Sequence, residues 1–242
     1  MTAIRDFINK IDIVKQQTPA VETPTAATPH AEARAWLAAC GYIGKYAMRY
    51  DPTVKMADEP SEEALKQWVG NLPQMLDDGG WLLLGGALGP RKSFATCRIV
   101  DAARKLTVQR SPEHEPRQLL PGSEVCWHFA PSIASYLQRW EGDANDEPGY
   151  MYRLLRARLL VLDDVDRFLE LRDGDYTLGK LLSKLNTLME YRDQPYRVTV
   201  VTANRHAAQM YAVPEFRRWV DRAKERGACI DIMGRSTRWS ED

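Results

Sequence analysis

The stretch Trp81-Leu82-Leu83-Leu84-Gly85-Gly86-Ala87-Leu88-Gly89-Pro90-Arg91-Lys92-Ser93 constrains this chain more than any other. An apolar run stops at glycines, and Lys-Ser follows. This layout predicts a buried strand, a glycine-rich turn and a helix opening on Lys-Ser, the arrangement of a phosphate-binding loop. The backbone N–H groups of the Gly86–Ser93 turn and the helix N-terminus would face an anion. Lys92 would reach the outer phosphates, and the Ser93 hydroxyl would hold Mg²⁺. One position departs from the pattern, because Arg91 stands where glycine is expected before the lysine. Glycine suits that position because backbone must approach phosphate and take φ > 0. Either Arg91 is tolerated with its side chain turned outward, or the site binds nucleotide weakly or turns it over slowly. Pro90 stiffens the loop further.

The rest of the chain sets this loop in an alternating pattern. Short apolar runs at 81–84, 124–129, 159–162, 197–202 and 228–232 predict strands. Helical patterns at 92–105, 131–140, 177–191 and 214–226 separate them. Further helices are expected at 31–40 and 61–76, the latter disturbed by Pro73. Strands separated by helices argue for an α/β fold, a parallel sheet with helices on both faces. Segments 110–122 and 141–149 read as surface loops.

Two more strand ends carry chemistry. Leu159-Leu160-Val161-Leu162 runs into Asp163-Asp164. Such a strand would aim Asp163 at a Mg²⁺ held by Ser93, and Asp164 at an attacking water. Arg197–Thr202 is followed by Ala203, Asn204 and Arg205. The Asn204 amide could hold a water near a terminal phosphate, although turn preference alone accounts for an asparagine there. Basic residues gather at Arg217, Arg218 and Arg222, and again at Arg235 and Arg238. Arginine suits phosphate through its planar, permanently charged fork.

The N-terminus has a different character. Ile4, Phe7, Ile8 and Ile11 fall at i, i+3, i+4, i+7, which predicts a short amphipathic helix over residues 1–16. Residues 17–30, rich in Pro, Thr and Ala, read as a flexible linker, and residues 31–242 as the main domain. A helix on a tether suits partner docking.

Composition removes several function classes. The chain has 33 basic and 33 acidic residues, so any nucleic-acid contact must come from a local patch. Arg104, Lys105, Arg110 and Arg139 are candidates by position. No apolar run reaches membrane-span length, and the first ten residues lack the apolar core of a secretion signal, so a cytoplasmic location without membrane contact is expected. The four cysteines show no C-x-x-C spacing and read as buried thiols.

Taken in order, these motifs resemble the DnaC/IstB-type AAA+ ATPases, which include replicative-helicase loaders and transposon ATPase subunits. The resemblance covers roughly residues 60–238. LLLGGALGPRKSFATCRIVDA is similar to the family's Walker A and first helix, and RARLLVLDDVDRF to its Walker B. DYTLGKLLSKLNTLMEYRDQPYRVTVVTANR resembles the helix and strand leading to sensor 1. RRWVDRAKERGACIDIMGRSTR resembles the last helix, strand and terminal arginine. The resemblance implies an AAA+ P-loop core without a C-terminal helical lid. It implies ATP and Mg²⁺ as ligands, with Lys92 and Ser93 as the Walker A pair and Asp163 as the Mg²⁺ acid. It makes Asp164 the catalytic acid, Asn204 sensor 1, Arg222 the arginine finger acting on a neighbour and Arg238 a sensor-2-like arginine. It also implies a homo-oligomer, an open ring or helical filament, that holds single-stranded DNA and docks on a replicative helicase through residues 1–16. The alternatives are a transposition regulator assembling on duplex DNA, or an adaptor that binds ATP but hydrolyses it weakly.

Overall fold

The computed structural model describes residues 29–41, 50–56, 58–87, 91–108, 115–140, 150–170 and 178–233. The expected helix over 1–16 and residues 17–28 of the expected linker over 17–30 lie outside them, as do Leu88, Gly89, Pro90, Arg110, Arg235 and Arg238, whereas Pro29 and His30 of that linker open a helix.

Among the described residues, five strands form one parallel sheet. In chain order they are β1 (Gly80–Gly85), β4 (Val125–Phe129), β5 (Leu159–Asp163), β6 (Val198–Thr202) and β7 (Gly227–Asp231). Their spatial order is β4-β5-β6-β1-β7. All four pairings are parallel. Parallel strands buried on both faces read as largely apolar runs, as the central strands β1, β5 and β6 do. All six residues of β1 are buried.

The helices are α1 (Pro29–Ala39), α2 (Glu59–Gly70), α3 (Leu72–Asp78), α4 (Lys92–Arg104), α5 (Ala134–Arg139), α6 (Tyr150–Arg156), α7 (Leu178–Arg192), α8 (Ala207–Tyr211) and α9 (Pro214–Arg226). The pleat sends alternate residues of each strand to opposite faces. Leu82 and Leu84 join Leu37, Leu65, Leu72 and Val100 in one core. Trp81 and Leu83 join Leu137, Leu154, Leu185 and Phe216 in the other. On α9, Phe216, Trp219, Val220 and Ala223 recur at helical spacing and are buried, and Pro214 stands in its first turn.

Four local expectations need correction. The single helix over 61–76 is two helices, α2 and α3, broken at Asn71. Pro73 has no N–H to continue the ladder, so its fixed φ starts a new helix instead. The segment 131–140 opens as a 3₁₀ turn, Ala130–Ile133, before α5. The expected loop over 110–122 contains β3 (Arg117–Gln118), which pairs antiparallel with β2 (Thr107–Val108). Helix α6 was not anticipated, because its one buried stripe of Met151, Leu154 and Leu155 is too short for periodicity to show.

Arg192 ties α6 to the sheet. It is fully buried, and its guanidinium donates to the carbonyls of Leu154, Ala157 and Val198 and to the Thr199 hydroxyl. It thereby satisfies carbonyls at the end of α6 that have no helical N–H to accept. Burial pulls its pKa down to about 9, which leaves it charged at neutral pH.

Candidate nucleotide site

The site sits at the C-terminal ends of β1, β5 and β6, where ligands of open parallel sheets bind. The chain leaves β1 through Gly85 and turns at Gly86, whose φ is +127°. A Cβ on Gly86 would lie 2.3 Å from the Ile232 carbonyl oxygen, and one on Gly85 would lie 2.3 Å from Asp231 Oδ1. Only glycines pass this close to the exit of β7.

Arg91 precedes α4 with φ 60° and ψ 18°, the left-handed conformation. The backbone therefore takes the conformation that glycine would supply, at a cost of about 1–2 kcal/mol for a residue with a Cβ. The side chain turns outward, and Nη1 donates to the Lys55 carbonyl at 2.8 Å. The outward side chain expected for a tolerated Arg91 is therefore present.

Lys92 opens α4 and is buried. Its Nζ donates to the Gly86 and Ala87 carbonyls, both at 2.8 Å. The ammonium thus closes the turn upon itself, and Ser93 follows on the same helical turn. The Phe94 and Ala95 N–H groups both donate to the Arg91 carbonyl, at 2.9 and 3.0 Å, which anchors the first turn of α4 on Arg91.

Opposite this loop, Thr202 joins the two acids. Its hydroxyl donates to Asp163 Oδ1 at 2.5 Å and accepts from the Asp164 N–H at 2.9 Å. The neighbouring register of β5 and β6 places these residues together. Burial raises the Asp163 pKa to about 6, and the Thr202 hydrogen bond and the Lys92 charge pull it back. Asp164 has φ 57°, which turns the chain sharply after β5. Its carboxylate accepts from Asn204 Nδ2 at 3.2 Å and pairs with Arg167 Nε at 3.3 Å. Buried Asp166 accepts the Asn204 N–H at 3.0 Å, which fixes the turn carrying that amide. Burial raises the Asp166 pKa.

The structure therefore brings Gly86, Lys92, Asp163, Asp164 and Asn204 to one end of the sheet. Arg222 is elsewhere. It lies on α9 and pairs with Asp193, which also binds Arg226 at 2.7 Å. Arg226 in turn donates to the Asp78 carbonyl, just before β1 begins. Arg222 thus stands at the N-terminal end of the sheet, roughly 20 Å from the loop by strand length.

No family model matches the sequence, and no curated protein matches it. Solved structures do match the fold. The crystal structure of DnaI aligns with TM-score 0.52 at 15% identity, over 81% of this chain and 95% of that one. The DnaC helicase loader aligns with TM-score 0.54 at 13% identity, over 78% of this chain and all of that one (100%). A DNA replication initiation factor aligns with TM-score 0.50 at 17% identity, over 76% of this chain and 50% of its own length. The chain therefore shares the fold of these three structures. At these identities the likeness is one of fold.

Two polar residues of this site, Thr202 and Asp166, are not among those the sequence motifs single out. The available signal was the run Thr202-Ala203-Asn204 at a strand end, with a hydroxyl and an amide two apart on one face. Among the proposed DNA contacts, Arg104 and Lys105 both pair with Asp101, at 3.0 and 2.9 Å. Arg139 donates to the Ser135 carbonyl and lies over the Tyr136 ring.

Proposed function

We propose that this chain is a DnaC/IstB-type AAA+ ATPase that binds ATP with Mg²⁺ between subunits and loads a replicative helicase onto single-stranded DNA. One observation carries the reading: Thr202 holds Asp163 and Asp164 in a fixed pair, and Asn204 touches the second of them. A strand end that served only packing has no use for two acids, a hydroxyl and an amide in mutual contact.

The residues present fit the ligands. Lys92 would exchange its bonds to the Gly86 and Ala87 carbonyls for phosphate oxygens, while the N-terminus of α4 faces the same charge. Ser93 and Asp163 would hold Mg²⁺, which is usually bound by one or two protein oxygens together with substrate phosphates. Bound there, Mg²⁺ supplies neutralisation of phosphate charge. Asp164 would accept a proton from the attacking water, and Asn204 would orient both. Arg222 would act on the nucleotide of the next subunit, in an open ring or helical filament. Residues 1–16 would carry the helicase contact.

An ATP-binding adaptor with slow turnover is the competing reading, and the engaged state of Lys92 and the strained Arg91 favour it. Titration with a fluorescent ATP analogue separates the outcomes. Wild type should bind with Mg²⁺, Lys92→Ala should not, and Asp164→Asn should bind without turnover. Absence of binding by wild type at saturating nucleotide overturns both readings, and binding without any hydrolysis leaves the adaptor.

A further inference from the structure

At the end of the sheet away from Lys92, a cavity of about 640 Å³ opens between α6 and the start of β6. Tyr152, Arg153, Arg156, Arg158, Tyr196 and Arg197 line it. The chain as a whole is charge-balanced, so four arginines in one cavity are a local departure. The acid in the lining, Glu124, is held by Arg117 at 2.8 Å. Burial and the neighbouring Arg156 charge lower the Arg197 pKa, as expected where cations converge.

The two rings stand beside these cations. Tyr152 is 41% exposed and Tyr196 is 52% exposed. The Arg156 guanidinium lies 4.6 Å from the Tyr152 ring centre, and that of Arg158 lies 5.2 Å from the Tyr196 ring centre. Tyr196 has φ 66°, a conformation bulky residues rarely adopt. Its N–H is held by the Asp77 carbonyl at 3.0 Å, so the turn presents the ring outward despite the strain. Strain maintained at an exposed aromatic beside clustered cations points to a ligand.

We propose that this cavity binds single-stranded nucleic acid, the exposed Arg153 and Arg156 holding phosphodiesters and the two tyrosines stacking on bases, while Arg158 and Arg197, held by the Leu76 and Tyr191 carbonyls, add positive charge behind them. The proposal rests on the reading that this chain acts on single-stranded DNA, and it assigns the contact a place apart from the nucleotide loop. Exposed rings among cations suit a single strand, whose bases have open faces. An acidic peptide would use the arginines and leave the rings idle.

The test is fluorescence anisotropy with a short fluorescein-labelled oligothymidylate, without nucleotide so that the Lys92 loop plays no part. The variants are Arg153→Gln with Arg156→Gln, both exposed, and Tyr196→Asn, which tolerates the left-handed backbone. Melting temperatures confirm folding. The double variant should lower the slope of log affinity against log salt by about 1.4. Tyr196→Asn should weaken binding roughly 5- to 150-fold. Unchanged affinity in both variants overturns the location and leaves single-strand binding standing. No binding by wild type overturns both. Inorganic tripolyphosphate competing equally, with Tyr196→Asn neutral, would reveal an anion site only and overturn the proposal. So would loss of self-association with oligonucleotide binding intact, which would make the cavity an interface between copies.

Discussion

The Thr202 hydroxyl lies 2.5 Å from Asp163 Oδ1, so a strand residue orients the proposed Mg²⁺ acid and favours its charged form against burial. Thr202→Val keeps the shape of the side chain and deletes this bond. It also leaves the Asp164 N–H without its acceptor. The expected loss of stability is about 1–3 kcal/mol. Mg²⁺-dependent nucleotide affinity should fall as well. Thermal melts and a Mg²⁺ titration check the two effects, and an unaltered Mg²⁺ midpoint would confine Thr202 to a packing role.

Arg91 gives a second expectation. Its backbone already has the left-handed form and its side chain points to Lys55. Arg91→Gly should therefore change nucleotide affinity by no more than about fivefold. Arg91→Val, β-branched and unsuited to positive φ, should weaken both affinity and stability. A large gain in turnover for the glycine variant would show that the side chain does obstruct the site.

Glu62 links α2 to the loop helix. Its carboxylate takes both arms of Arg98, at 2.7 and 2.9 Å, and accepts the Met56 N–H at 2.9 Å. Arg98 holds its pKa down, to about 2 from 4.5. A depressed carboxylate stabilises the fold above its unfolded pKa and loses that contribution as pH falls. The loss should run from about pH 4.5 down to about 2, and amount to at most roughly 3 kcal/mol. Glu62→Gln should remove this limb of the acid unfolding curve and lower stability at neutral pH. Identical acid limbs in the two proteins would refute the assignment.

Arg222 is expected to work in trans. Mixing Arg222→Ala with Lys92→Ala protein should recover part of the ATPase activity, since shared interfaces combine an intact loop with an intact arginine. Arg226 still holds Asp193 in the first variant, so its melting temperature should change little. Folded, assembling mixtures without recovery would make Arg222 structural.

Residues 1–16 are expected to carry the helicase contact. Phe7→Ala with Ile8→Ala should abolish co-purification with a replicative helicase and spare nucleotide binding. A drop in melting temperature would instead show that this stripe packs on its own domain.

The order of elements, the five strands and the residues at their ends were legible in the sequence. A buried parallel strand is largely apolar, and its polar terminus marks where the chain reaches solvent or a ligand. Lys92, Asp163, Asp164 and Asn204 sit at such ends. The tertiary structure alone decided the rest, because it depends on which strands are neighbours. Thr202 gained its role only when β6 lay beside β5 in register. The positive φ at Arg91 follows from the glycine it replaces, but its anchor on the Lys55 carbonyl, 36 positions away, does not. Arg192 closes a helical segment, and only the fold buries it among carbonyls from α6 and β6. The arginine-lined cavity likewise joins residues from α6 and the turn before β6, segments that are remote in sequence. Local pattern fixes what each segment can be, and long-range packing fixes which side chains share a neighbour.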